Sequence, residues 1–107
     1  MVEIYVDADA CPVKDEVLRV AARHGLKTRM VSDGGIRPLR DPTVEIIIVT
    51  QGADAADDWI AEQIAPNDIC VTNDIPLAAR CLEKGAQAIK PTGDPFTTDG
   101  IGLALAN

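Results

Sequence analysis

Three apolar, β-branched runs in this chain finish on, or shortly before, an aspartate: Val2 to Val6 before Asp7, Ile46 to Val49 before Asp54, and Ile69 to Val71 before Asp74. If these runs are neighbouring parallel strands, their ends gather carboxylates from distant sequence positions at one edge of one sheet. Two carboxylates about 4 Å apart repel by roughly 4 kcal/mol at an effective dielectric of 20, so such an edge calls for protons or cations. A divalent metal ion answers several carboxylates at once.

The acids around these three points extend the pattern. Asp9 follows Asp7 by two residues. On a helix, Asp54, Asp57 and Asp58 are related by three and four residues, so they share a face near the positive amino end of the helix dipole. Asp54 alone could be a cap, but three acids on one face exceed what capping needs. Asp74 is placed to cap the next helix, with Thr72 and Asn73 as supporting neighbours; a carboxylate has two oxygens, so capping and ion binding are compatible. Asp7, Asp9, Asp54, Asp57, Asp58 and Asp74 are therefore the candidate metal ligands. Oxygen donors without nearby His or paired Cys favour Mg2+ or Mn2+ over zinc. Such ions lower the pKa of an attacking water and stabilise a leaving oxygen, which makes phosphodiester hydrolysis the leading reaction class.

Arg37 and Arg40, beside Gly34 and Gly35 and with Lys27 and Arg29 nearby in sequence, are the best candidates for contact with a nucleic-acid backbone. The competing reading is a solvated loop. His24 closes the first helix, where a protonated imidazole suits the dipole, and reads as structural. Cys11 lies near a helix amino end, but Asp7 and Asp9 beside it oppose thiolate formation. No Walker or dinucleotide fingerprint is present.

Positioning these residues requires strands and helices in alternation. Strands are expected over Val2–Val6, Lys27–Ser32, Val44–Val49, Asp68–Thr72 and Ala86–Lys90. The first helix opens at Pro12, turns Val13, Val17, Val20 and Ala21 inward, and stops at Gly25. The second runs from Asp54 to Ala65 with Ala56, Trp59, Ile60 and Ile64 inward; the third follows Asp74, contains Pro76, Leu77, Cys81 and Leu82, and ends at Gly85. The stretch from Asp33 to Pro42 is rich in turn formers and has no helical period, although a parallel crossover usually contains a helix. Ile101 to Ala106 reads as a helix cut short. The pattern is an α/β sandwich with a mostly parallel sheet, whose sites lie at strand carboxyl ends.

The 107 residues suffice for one domain, and with 47% hydrophobic residues but only Tyr5, Trp59 and Phe96 as aromatics, the core must be aliphatic. Base stacking on aromatic platforms is correspondingly disfavoured. The net charge is −7, and no Lys, Arg or His falls between Thr50 and Ala79. Solvated helix faces could account for that acidity, but so could an ion site, and a bound divalent ion would let an acidic chain accept an anionic substrate. Three cysteines without metal-finger spacing imply reduced thiols and a cytoplasmic location, with Cys70 and Cys81 in the core. No signal peptide or bilayer-spanning run is evident.

Taken together, Ile4-Tyr-Val-Asp7-Ala-Asp9-Ala-Cys-Pro12-Val, Gln51-Gly-Ala-Asp54-Ala-Ala-Asp57-Asp58-Trp-Ile60 and Val71-Thr-Asn-Asp74-Ile-Pro-Leu-Ala78 closely resemble the YaiI/YqxD family of bacterial PIN-like proteins over nearly the entire chain. The resemblance implies a single PIN-like three-layer sandwich over residues 1–107 with strand order 3-2-1-4-5, truncated at its C-terminus, where relatives continue with a basic tail. PIN domains are metal-dependent ribonucleases. By that likeness Asp7 matches the first-strand acid, Asp57 or Asp58 the mid-chain acid and Asp74 the acid of the Thr-x-Asp motif, which makes these four the candidate catalytic residues. The likeness also implies Mg2+ or Mn2+ and a single-stranded RNA or DNA partner. The short loop around Gly34 replaces a helical region that carries another acid in many PIN domains, leaving a fourth ligand to Asp9 or Asp54.

Three other readings compete. A signalling receiver also places acids after its first strand, and Thr72 and Lys90-Pro91 suit it, but Thr50 and Gln51 stand where its phosphoacceptor belongs. Its strand order is 2-1-3-4-5. A phosphatase using Asp7-Ala-Asp9 would need a longer chain. A catalytically silent PIN-like module would bind RNA or a protein without cleaving anything.

Overall fold

The computed structural model describes residues 2–8, 14–32, 43–49, 55–92 and 94–97. In chain order the elements are β1 (Glu3–Asp7), α1 (Lys14–Arg23), β2 (Lys27–Ser32), β3 (Val44–Ile48), α2 (Ala55–Gln63), β4 (Ile69–Val71), α3 (Ile75–Glu83) and β5 (Gln87–Ile89). The strands form one sheet in the order β3-β2-β1-β4-β5, and every pairing between them is parallel. This is the 3-2-1-4-5 order implied by the PIN-like resemblance, and it excludes the receiver arrangement.

The chain winds outward from β1 through β2 to β3, then returns to lay β4 on the other side of β1. Strand order therefore reverses between β1 and β4, the place where open α/β sheets hold their ligands. Despite the irregular sequence between them, β2 and β3 pair directly in parallel, with Thr28 opposite Val44 and Ser32 opposite Ile48. The connection itself lies outside the described residues, as does the Ile101 to Ala106 segment.

Side chains alternate along each strand and so divide the core in two. Tyr5, Val31 and Cys70 meet Ile60, Ile64, Leu77 and Cys81 on the α2 and α3 side. Ile4, Val6, Met30 and Val71 meet Ala21, Val17 and Leu18 on the α1 side. Burial of Ile60, Ile64 and Leu77 is essentially complete, which stabilises the fold by about 1.5–3 kcal/mol for each side chain. Trp59 is half-buried and packs inward against the α2 and α3 side of the core, tilted against Tyr5 with ring centroids 6.1 Å apart. One inward assignment needs correction. Val20 is 50% exposed, because it stands at the rim of an apolar groove of about 390 Å3 where α1 faces Ile69, Val71 and Ile89.

Both α1 and α3 stop as the sequence suggests. Gly25 and Gly85 take positive φ (65° and 84°), and the following amides fold back, Leu26 N–H to Ala21 O at 2.9 Å and Ala86 N–H to Cys81 O at 3.1 Å. Only glycine enters that left-handed turn without strain.

The amino edge of the sheet is closed by its own polar groups. Asp68, buried just before β4, accepts hydrogen bonds from Glu3 N–H and Ala65 N–H, both at 3.0 Å. Arg29 donates to Glu3 and to the Tyr5 hydroxyl (2.6 Å), and Lys27 pairs with Glu45 at 3.3 Å. Lys27 and Arg29, grouped in sequence with the candidate backbone contacts, are thus engaged in holding β1, β2 and β3 together.

Candidate functional site

Asp7 is the last residue of β1 and Thr72 the first after β4, so the two flank the point where strand order reverses. Register sets them side by side, because Val6 is aligned with Val71 across the β1–β4 ladder. Asp7 is 4% exposed and Thr72 fully buried. The Thr72 hydroxyl donates to Asp7 Oδ2 at 3.0 Å and accepts the backbone N–H of Asp74 at 3.0 Å. One oxygen atom thereby joins the end of β1 to the start of α3.

Asp74 caps α3 as its sequence context indicates. Its backbone is extended (φ −81°, ψ 110°), Oδ1 accepts Leu77 N–H at 2.9 Å, and a proline occupies the first turn behind it. Oδ2 receives no hydrogen bond from the described residues and faces no obligation to the helix. Thr72 and Asn73 form the short link between strand and cap, and the threonine hydroxyl fixes that link internally.

The two mid-chain acids separate. Both lie in the first turn of α2, but Asp58 is exposed and paired with Arg80 Nη1 of α3 at 2.7 Å, the two side chains being 57% and 45% accessible. Asp57 is half-buried. Its field reaches the core: a hydrogen bond with Cys81, burial, and the charges of Asp7 and Asp57 together push the Cys70 thiol well above its ordinary pKa. Asp7 and Asp57 are thus both felt by one buried sulfur in the middle of β4, whereas Asp58 faces outward.

Asp9, Asp54, Arg37 and Arg40 lie outside the described residues, and so does Cys11. Among the described residues no group of three or more His, Cys, Asp or Glu is arranged to hold a metal ion. Asp7 and Asp74, tied through Thr72, are the two carboxylates that this part of the chain connects. Oxygen-only donors of this kind suit Mg2+ or Mn2+. His24 is exposed at the end of α1, away from these acids. Among the described residues no helix is long and apolar enough to cross a membrane.

Sequence reasoning found the acids but missed two contacts. The role of Thr72 as the shared partner of Asp7 and Asp74 needs the β1–β4 register, which only the folded sheet supplies. Arg80 as the partner of Asp58 needs the packing of α3 on α2; the only cue in sequence was that it is the first cation after a long acidic stretch.

The all-parallel 3-2-1-4-5 sheet, with Asp7 ending β1 and Asp74 following β4, makes this an α/β sandwich of the strand order that the PIN-like resemblance implies. The chain belongs to the family described as "Uncharacterized BCR, YaiI/YqxD family", whose model matches residues 5–107. It is 61% identical over 106 residues to a UPF0178 protein of Parvibaculum lavamentivorans, covering 99% of this chain and 70% of that one. A UPF0178 protein of Agrobacterium fabrum is 59% identical over 104 residues (97% and 68%), and one of Rhodopseudomonas palustris 56% over 103 (96% and 66%). The chain thus spans about two thirds of the length of these curated relatives. No solved structure matches it.

Proposed function

We propose that the carboxyl edge of the sheet is a divalent-metal-dependent phosphodiesterase centre that hydrolyses single-stranded RNA with Mg2+ or Mn2+. The observation that carries this reading is the Asp7–Thr72–Asp74 linkage at the point where strand order reverses. One buried hydroxyl thereby holds Asp7, at 4% exposure, in fixed relation to the segment that carries Asp74.

In this reading Asp7 is the fixed ligand, its orientation set by Thr72. Asp74 offers Oδ2 while Oδ1 keeps the helix capped. Asp57 contributes from the first turn of α2, with Asp9 and Asp54 as the further oxygen donors. A bound ion there supplies a water of lowered pKa and charge to offset the phosphate. Arg37 and Arg40 are the proposed grips on the nucleic-acid backbone. Asp58, already neutralised by Arg80, serves the outer rim of the site.

The test is Mn2+ calorimetry together with cleavage of a labelled single-stranded RNA and a DNA of the same sequence. The native chain is expected to bind Mn2+ and cleave the RNA, and Asp7→Asn and Asp74→Asn to lose both. Ion binding and RNA binding without cleavage would point instead to a silent PIN-like binding module, and unchanged heats in both variants would remove the ion site altogether.

A further inference from the structure

Two cysteines that the proposed chemistry does not use lie directly beneath it. Cys70, in β4, and Cys81, in α3, are both free thiols at 0% exposure in the same core cluster, within hydrogen-bonding reach of each other. Cys70 stands two residues before Thr72. The hydrogen bond between the thiols raises Cys70 and lowers Cys81; burial, Asp7 and Asp57 add to the rise at Cys70, while Lys84 and Arg80 lower Cys81 against burial and Asp57. The thiolate is therefore favoured at Cys81 over Cys70.

We propose that Cys70 and Cys81 form a reversible intramolecular disulfide that couples the oxidation state of the thiols to the position of α3, and hence of Asp74. The oxidant class is a hydroperoxide. The Cys81 sulfur attacks the peroxide, the O–O bond breaks, a sulfenic acid forms and one water leaves with the displaced oxygen. The Cys70 sulfur then attacks the Cys81 sulfur, the S–O bond breaks and a second water departs. Two thiols and one hydrogen peroxide become one disulfide and two waters, with two electrons passing from sulfur to oxygen.

Access comes from local opening of α3, a nine-residue helix that rests on β5 and α2. A disulfide then brings the sulfurs to about 2 Å, closer than hydrogen-bonded thiols stand, so α3 must settle toward β4. Asp74 caps that helix and its amide is held by Thr72, so the settling strains the same linkage that orients Asp7. The disulfide itself stands on the thiol pair; its effect on ion binding rests on the proposed function.

The experiment treats the full chain with hydrogen peroxide and reads three things. Non-reducing peptide mapping is expected to show a 70–81 linkage that a thiol reductant reverses, retained in Cys11→Ser and absent in Cys81→Ser and in Cys70→Ala. Amide NMR signals of Asp74 and Leu77 are expected to shift on oxidation and to return on reduction. Mn2+ affinity is expected to fall about tenfold in the oxidised chain, the scale of disturbing a support behind a ligand. Cross-linking through Cys11 alone, over-oxidation without a 70–81 bond, or a 70–81 bond that leaves the Asp74 and Leu77 amides unmoved each overturns the proposal. If the reduced chain binds no Mn2+, the metal reading fails while the mapping and amide shifts still judge the disulfide.

Discussion

The hydroxyl of Thr72 lies 3.0 Å from Oδ2 of Asp7 although 65 residues separate them in sequence. Both groups are buried, so this contact is a fixed feature of the β1–β4 junction and not an incidental surface bond.

Thr72→Val keeps the shape of the side chain but leaves a buried carboxylate oxygen and the Asp74 amide without their partner. The expected loss is about 2–3 kcal/mol of stability in urea denaturation, because one of the two hydrogen bonds removed is to a charged group. Thr72→Ser, which restores the oxygen, should recover most of it. An unchanged midpoint for the valine variant would show that Asp7 is held by its other contacts.

Asp74 does two jobs that two substitutions can separate. Asp74→Asn keeps an oxygen for Leu77 N–H, so stability should change by only a few tenths of a kcal/mol, whereas Asp74→Ala should cost about 1 kcal/mol for the lost cap. Both should lose Mn2+ binding in calorimetry. Retained binding in the asparagine variant would take Asp74 out of the ligand set.

Asp57 and Asp58 are adjacent but not equivalent. Asp58→Asn removes an exposed ion pair with Arg80, and such pairs contribute at most about 1 kcal/mol. The expected change in stability is small and the expected effect on Mn2+ affinity slight. Asp57→Asn should weaken Mn2+ binding by tenfold or more, about the cost of losing one support of a metal site. Equal effects in the two variants would return both acids to the rim or both to the centre.

Alkaline pH should destabilise the fold in a particular window. A hydrogen bond with Cys81, burial and nearby carboxylates raise Cys70 above its ordinary 9.0, and burial raises Tyr5 above 10.0. Groups with raised folded pKa values bind protons more tightly in the native state, so their contribution is complete below the unfolded pKa and fades as pH climbs through the folded one. Cys81 is lowered by the same hydrogen bond and opposes the Cys70 contribution, so the fall in urea midpoint should be carried by Tyr5 and set in above about pH 10. A rising midpoint through that range would contradict the assignment of Tyr5.

The fold was legible wherever one physical signal dominated. Val2 to Val6 and Ile69 to Val71 have the β-branched, apolar composition of buried parallel strands, and Pro76 behind Asp74 marks a helix start that the structure keeps. Element ends moved by a residue or so: β1 extends to include Asp7, and β4 is reduced to Ile69–Val71. The unequal burial of Asp57 and Asp58 was not legible, because both fit one helical face until burial of Ile60 and Ala61 fixes the rotation of α2. Nor could Val20 be separated from its inward neighbours, since helical spacing does not reveal that α1 borders an open groove. The contacts of Thr72 and Arg80 required knowing which strands and helices become neighbours.

Asp68 stands at the opposite end of β4 from Thr72, and there a buried acid is satisfied by the amides of Glu3 and Ala65. The two rims of one sheet therefore treat their buried acids differently: main-chain amides hold the lower one and a side-chain hydroxyl the upper one. An exchange at Asp7 or Thr72 thus leaves untouched the clasp by which Asp68 fastens the start of β1 beside β4.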